Sequence, residues 1–470
     1  MRKIIAILLL CVPAFAWAQL SAPTADYALP TTGLTGDYDY IYVFYDQATM
    51  SLTATQPNGH NAEFTWKKLN VPAVSLDLYH QESGVTSSII DIEEGGYQVT
   101  VLDLDDLTTP VDTFTTWVFR DIFRIESVSC LDNDCAIMHL SVLTTPDFYT
   151  SYAIYNFQQF LTPPHIGRTN LALVQSAEWT PVNGAGQEID IFPNIENPDN
   201  SWRTSRNKSV FIHNPPPLVN AAYRLEVTNV FGRSASYTTP IINAVATRAI
   251  STIEEYNKEN NSWRDAGELP EGEALYELRF KHDKSINANH YEWTGFANAR
   301  QANGDRTVVW QESTTNANAE VKPQMPHNGK LYEGYTPGSY QVRLTVSNNN
   351  GCVDTDTIKY IVVEPSAFDT QAIPNAFTPN GDNQNDIFTF VKGQEPISME
   401  YIYVYIYNRS GGLVYRYEGR FDAWEGWDGR MMGTGSNVPE GVYFYVISGT
   451  GWDDITYNTK EYSGYLHLFR

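Results

Sequence analysis

Asn380, Asp382, Gln384 and Asp386 place oxygen-bearing side chains at alternate positions of one short segment, the way calcium loops present their ligands. The glycine and closing bidentate Glu of an EF-hand are missing from their usual places. The competing reading is therefore a run of Asx turns, in which these side chains accept from nearby backbone amides. Cys130 and Cys135 are a second candidate pair. They flank Leu131-Asp132-Asn133-Asp134, a hairpin-like tip between the β-like runs 122–128 and 136–142. A four-residue loop sets the two thiols opposite each other, so a Cys130–Cys135 disulfide is expected. Cys352 has no evident partner and reads as a small buried apolar residue. His-Glu-x-x-His, Gly-x-Ser-x-Gly, P-loop and Cys-x-x-Cys patterns are all absent, and the nine His are scattered. The chain is read as no enzyme. Glycosidase-type carboxylate pairs meet only in three dimensions, so a polysaccharide-active protein stays as the alternative.

The elements that would position these residues begin after an export signal. Arg2 and Lys3 precede an apolar run, 4–12, then Pro13 and the small-residue pattern Ala16-Trp17-Ala18. This reads as a signal peptide, 1–18, cut before Gln19, since the run is well short of the ~20 residues that span a bilayer. Cys11 raises a lipoprotein reading, but bulky Leu10 precedes it. No later stretch suggests a transmembrane segment in the mature chain. Export also favours oxidised cysteines. The formal net charge of −24 repels phosphate backbones, so no nucleic-acid partner is expected. At roughly 150 residues per domain, 470 residues imply several domains. Thirty Tyr and 21 Phe lean toward β structure.

A pair of signals recurs along the chain. Trp66, Trp179 and Trp293, each in a short β run, are separated by 113 and 114 residues. Each is followed by a Tyr that opens an alternating strand: Tyr97-Gln98-Val99-Thr100-Val101, Tyr223-Arg224-Leu225-Glu226-Val227 and Tyr340-Gln341-Val342-Arg343-Leu344. Such alternation gives strands with one buried and one wet face. Modules of this length and pattern fit immunoglobulin-like β-sandwiches, in which the central Trp packs the core.

The third repeat, with Gly338-Ser339-Tyr340-Gln341-Val342 and then Asn350-Gly351-Cys352-Val353-Asp354, resembles a polycystic-kidney-disease-type (PKD) module. That resemblance implies a spacer or adhesive role. After 363–366 the chain changes character. Pro374-Asn375-Ala376-Phe377-Thr378-Pro379-Asn380-Gly381-Asp382 leads to Asn385-Asp386, then Asn408-Arg409-Ser410-Gly411, Trp427-Asp428-Gly429, Gly441-Val442-Tyr443 and the terminal Arg470. In this order they resemble the gliding-motility-associated C-terminal domain of Bacteroidetes, the type B sorting domain of the type IX secretion system. The chain departs from that family at Asn383, where a Gly is usual, and at Ser410, where a Trp is usual. In residues 401–407 Tyr alternates with Ile402, Val404 and Ile406, a strand with aliphatic and phenolic faces. Trp424, Trp427 and this ladder have the chemistry to stack on sugars, and packing at sandwich edges and in the core accounts for them as easily.

The expected fold is all-β: immunoglobulin or PKD-like sandwiches at 19–120, 121–243 and 244–364, then a β-sandwich sorting domain at 367–470. The expected function is that of a cell-surface multi-module protein, exported by Sec and then by the type IX system. Its role is adhesive or structural. The alternative is a polysaccharide-binding or polysaccharide-active protein on the same sorting domain. The expected partners are the type IX translocon and a glycan or a host or matrix protein. No cofactor is expected apart from calcium at the Asn380–Asp386 candidate.

Overall fold

The computed structural model describes residues 18–30, 38–46, 49–70, 75–108, 110–155, 168–300, 305–458 and 462–470. The expected signal peptide and Cys11 lie outside the described residues, apart from Ala18. The fold is all-β, and the described helical segments are short 3-10 turns such as Ser201–Thr204. No helix among the described residues is long and apolar enough to cross a membrane. The chain divides into two compact units, 1–244 and 245–470.

In the first unit, a three-stranded sheet (Gln19–Ser21, Ser51–Thr55, Thr86–Ile90) faces a six-stranded sheet built around Asp112–Asp121, Gly95–Asp103 and Ala62–Asn70. Their shared core holds Phe64, Trp66, Val99 and Leu52. A second core, around Trp179, Leu225 and Val210, lies between two three-stranded sheets that include Ile137–Thr145 and Ala222–Asn229. Between the two cores lies another cluster, because some strands of the six-stranded sheet bury both faces. Tyr42 and Phe44 point into the first core, while Ile41 and Val43 meet Trp117, Phe119, Ile154 and Phe231. An uninterrupted apolar run such as Tyr40–Tyr45 is the sequence form of two-sided burial.

In the second unit, a four-stranded and a five-stranded sheet enclose Trp293, Phe280, Val342 and Leu344. The tail forms one further sheet, in the order Ala376–Phe377, Ser463–Leu468, Gly441–Gly451, Met399–Tyr407, Leu413–Arg420. Irregular segments bring Phe368, Phe388, Phe390, Trp427 and Val438 onto its aliphatic face.

The repeated Trp and Tyr residues are core groups whose polar atoms need partners. Trp66 donates to Ser87 Oγ at 2.8 Å and Trp293 to His282 Nδ1 at 3.1 Å. Tyr97, Tyr340 and Tyr443 each send their hydroxyl to the carbonyl four residues upstream, at 2.9, 2.9 and 2.6 Å, the corner tie seen in sandwich folds. The second repeat differs: Trp179 Nε1 and Tyr223 OH are buried without partners.

The cysteine expectation is corrected. Cys130 is a free thiol, while Cys135 and Cys352 are each disulfide-bonded. Strand Arg124–Asn133 continues past Cys130, which is paired with Leu140, and the turn closes only where Asp134 N donates to Ile137 O. Cys135 therefore sits at the tip, out of register with Cys130. Cys352 is buried, as expected, but as half of a disulfide.

Three ties hold the chain where it enters a new core. Asp121, fully buried, accepts from Asn229 Nδ2 at 2.7 Å and from Phe123 N at 3.0 Å. Asn229 lies on a hairpin turn, and its Oδ1 accepts from Phe231 N and Arg233 N, both at 3.0 Å. Asn348 repeats the device: Oδ1 accepts from Asn350 N and Cys352 N, and Nδ2 donates to Val245 O at 2.9 Å. At the third entry the turn residue is Asp453, which accepts from Ser366 N at 2.8 Å and from Ser366 Oγ at 2.6 Å.

Asp121→Ala leaves the Asn229 amide and the Phe123 N–H unsatisfied in the interior. The expected cost is about 2–4 kcal/mol. Denaturant unfolding of the whole chain should show the transition of the first unit moving to lower denaturant, with that of the second unit unchanged.

Candidate functional site

The tail gathers most of the sequence-predicted site residues around its last strand. Ser463–Leu468 lies inside the sheet, antiparallel to Gly441–Gly451 and parallel to Ala376–Phe377. Alternation buries Leu466 and Leu468 and turns Tyr465 and His467 outward. The parallel pairing is short but closed by neighbours: His467 N donates to Asn375 O at 2.8 Å and Phe469 N to Phe377 O at 3.2 Å.

Trp427 is the centre of the site's packing. It is fully buried, its ring lies 5.3 Å from that of Phe377 and 5.5 Å from that of Tyr443, and Nε1 donates to Arg430 O at 2.8 Å. Its backbone exchanges hydrogen bonds with Phe388. Trp427 therefore cannot stack on a sugar, and of its two sequence readings the core one holds. Trp424 is half-buried, with Nε1 donating to Tyr415 OH at 3.2 Å.

Gly429 is the point where three motif segments converge. Its φ is +77°, and a methyl group there would lie 3.0 Å from Pro379, 3.2 Å from Leu468 and 3.3 Å from Arg470. The positive φ favours glycine, and the tight contacts add to the strain of any larger residue. Arg470 then fastens the chain end: Nη2 donates to Gly429 O at 2.9 Å, Nη1 to Val438 O, and its backbone N to Glu440 Oε1 at 3.1 Å. Asp428 completes the turn by accepting from Arg430 N at 3.1 Å. Glu440 belongs to the motif segment Pro439-Glu440-Gly441, whereas Val438 is a site residue the sequence reading did not name.

The alternating oxygens at 380–386 form a closed network. Asp386 accepts from Gly381 N and Asn383 N, both at 2.7 Å. Asp382 accepts from Gln384 N at 2.8 Å and from Asn380 Nδ2 at 3.1 Å, while Asn380 Oδ1 accepts from Asp382 N at 3.0 Å. Both carboxylates thus face the loop's own donors, the geometry of Asx turns and not that of an open calcium cradle. No group of three or more His, Cys, Asp or Glu suited to a metal occurs among the described residues. Asn383, at the position where the resembled family has Gly, has φ +65°, a left-handed conformation that Asn accepts. Thr378 completes the loop, its N donating to Asn385 O at 2.8 Å. Beside it opens a groove of about 480 Å³ lined by Pro374, Phe377, Asn385, Asp386, Ile387 and Phe390.

Asn408, Arg409 and Gly411 belong to a separate hairpin turn. Asn408 Oδ1 accepts from Ser410 N at 3.0 Å and Gly412 N at 2.8 Å, and Gly411 takes φ +81°.

Residues 371–468 match the family described as CHU_C Type IX secretion signal domain. That match indicates export to the cell surface or the extracellular space. No curated protein matches the chain. Among solved structures, the three N-terminal domains of the bacteriophage RB49 Highly Immunogenic Outer Capsid protein share 13% identity, with 74% of this chain and 97% of that one covered, at a TM-score of 0.20. The FN1–FN3 domains of chicken CNTN1 share 9%, covering 74% and 99%, at 0.24. Extracellular domains 3–5 of Drosophila OTK share 13%, covering 69% and 94%, at 0.17. With scores this low, no shared arrangement of domains follows.

The Gly381 amide above all, joined by the Asn383 and Asn380 amides, holds the Asp386 carboxyl below the usual carboxylate range against the opposing effect of burial. A depressed folded-state pKa makes this contribution complete above the unfolded value of about 4 and lost as pH falls through the folded value. Protection of the Gly381 and Asn383 amides, their exchange rate relative to the intrinsic rate at the same pH, should therefore fall on acidification within that window. In Asp386→Asn the response should be flat; a wild-type pH response in that variant contradicts the assignment.

Proposed function

We propose that this chain is a surface protein exported in two steps. Residues 1–18 direct the first step, and the tail, as a type IX sorting domain, directs the second. Residues 19–366 then act outside the cell as an adhesive or structural array, without catalysis. The observation that carries the reading is the tail: its motif segments meet at Gly429 and Trp427, and the same residues match a secretion signal family. The proposed boundaries are 19–120, 121–243, 244–364 and 367–470. Four hydrophobic clusters, one centred in each span, support them, while a fifth joins Trp117 and Phe119 to Ile154 and Phe231 across the first boundary. Immunoglobulin-like sandwiches, PKD-like in the third span, are the proposed module type. The tyrosine corners at Tyr97 and Tyr340 support it.

The translocon is the proposed partner of the tail, and the outward residues of its sheet together with the groove beside Asp386 are the surface the tail offers. A second reading, glycan binding, is favoured by a groove of about 590 Å³ in the third module. Ser251, Thr252, Asp265, Glu268, Leu269 and exposed Tyr360 line it. Hydroxyls, carboxylates and a ring are the groups that bind sugar hydroxyls and stack on sugar faces.

Deleting residues 465–470 removes Leu466, Leu468 and the Arg470 fastening while leaving the first export step untouched. In a host with the type IX system, the truncated chain should accumulate in the periplasm with its signal removed, while the full chain reaches the surface or medium. Surface levels equal to those of the full chain would remove the sorting assignment.

A further inference from the structure

We infer that a hairpin outside the matched family region, Gln324–His327 with Lys330–Glu333, is a working part of the sorting signal, because it clamps the tail sheet in place through a buried His327–Glu400 pair. The inference rests on the reading of the tail as a type IX sorting domain and extends that signal into the preceding module.

Glu400 stands in the central tail strand Met399–Tyr407, and its side chain is only 4% exposed; that of His327 is 9% exposed. His327 Nε2 lies 3.1 Å from Glu400 Oε2. Asn328 Nδ2 lies 3.0 Å from the same ring nitrogen and Asp454 Oδ1 3.9 Å from it, so Glu400 and two further polar groups converge on His327 Nε2. A carboxylate this deep is costly without a partner, and the hairpin supplies one. Rings close over the pair. The Trp452 ring lies 5.1 Å from that of His327 and 4.9 Å from that of Tyr332, at the hairpin's other strand. The Arg420 guanidinium sits 5.1 Å over Trp452 and 6.0 Å over Tyr332.

A second tie runs beside the clamp. Ala274 N donates to Ser398 Oγ at 3.0 Å, and that hydroxyl donates to Glu364 O at 2.8 Å. Trp452 N donates to Ser398 O at 2.9 Å. Glu400, Arg420 and Trp452 all lie within 371–468, while every group that meets them across this contact lies before it. The tail alone would expose Trp452 and the start of its central strand. The chain as it stands presents the tail with that end covered and its orientation fixed, which is what a translocon that reads the tail's remaining surface requires.

His327 acts here as a positioning residue, so its test needs a conservative partner. The full chain with its own signal is expressed in a type IX host as wild type, His327→Ala, His327→Gln and the 465–470 deletion. His327→Ala should lower surface protein with a matching periplasmic increase, and His327→Gln, which keeps a donor, should restore most of it. In purified full chain, proteinase K cutting between residues 364 and 368 should rise about tenfold in His327→Ala, a modest consequence of leaving the buried Glu400 side chain without its hydrogen-bond partner. Wild-type export by His327→Ala overturns the inference. So does an export loss with unchanged cutting, or one that His327→Gln does not restore. If only the deletion blocks export, the sorting reading stands and the clamp falls; if the deletion also exports normally, the sorting reading itself falls.

Discussion

The architecture depends on one constraint: a chain entering a new β-core carries backbone and side-chain polar groups that must be satisfied where water is excluded. This protein meets it the same way at three entries. A hairpin turn offers one side chain that organises the turn and also captures the entering segment, across 108 residues at Asp121 with Asn229, 103 at Val245 with Asn348 and 87 at Ser366 with Asp453. Each capture buries a polar group only because its partner is already fixed by the turn. The cost of ordering is thereby shared between turn formation and docking.

The first of these ties sits beside an apolar seam. Ile41, Val43, Trp117 and Phe119 face Ile154 and Phe231, so the sheet of the first core is buried on both faces along this stretch. Arg233 joins polar and apolar parts, donating to Asp121 O at 3.1 Å and to Asp46 at 2.9 Å while lying 4.9 Å over the Tyr45 ring. In the tail the corresponding role falls to the last strand and Arg470. Their partners at Phe377, Gly429, Val438 and Glu440 come from one short strand and two loops, so the strand that finishes the sheet also fastens the segments that cover it.

Much of this was legible in the sequence. Alternation around Tyr97, Tyr340 and 401–407 gave strands and their buried faces, because period two is a local property. The convergence of Pro379, Trp427, Gly429 and Arg470 was foreshadowed by motif order alone. Three things were not legible. The thiol pattern failed because the strand runs on past Cys130 and the turn closes only at Asp134–Ile137, which sets Cys130 opposite Leu140. The alternating oxygens at 380–386 left two readings open, metal ligands or Asx turns, because sequence shows which atoms can accept but not which donors reach them first. The ties at Asn229, Asn348 and Asp453, and the His327–Glu400 pair, join residues tens of positions apart, and no local pattern marks them.

The central claim is that polar ties fuse the cores into pairs that open together. Native-state hydrogen exchange of the full chain across a denaturant series tests it directly. The account predicts that amides of Gly95–Asp103 and Ala222–Asn229 merge into one unfolding isotherm, and those of Gly338–Ser347 and Met399–Tyr407 into a second. Four separate isotherms, one for each core, would contradict it.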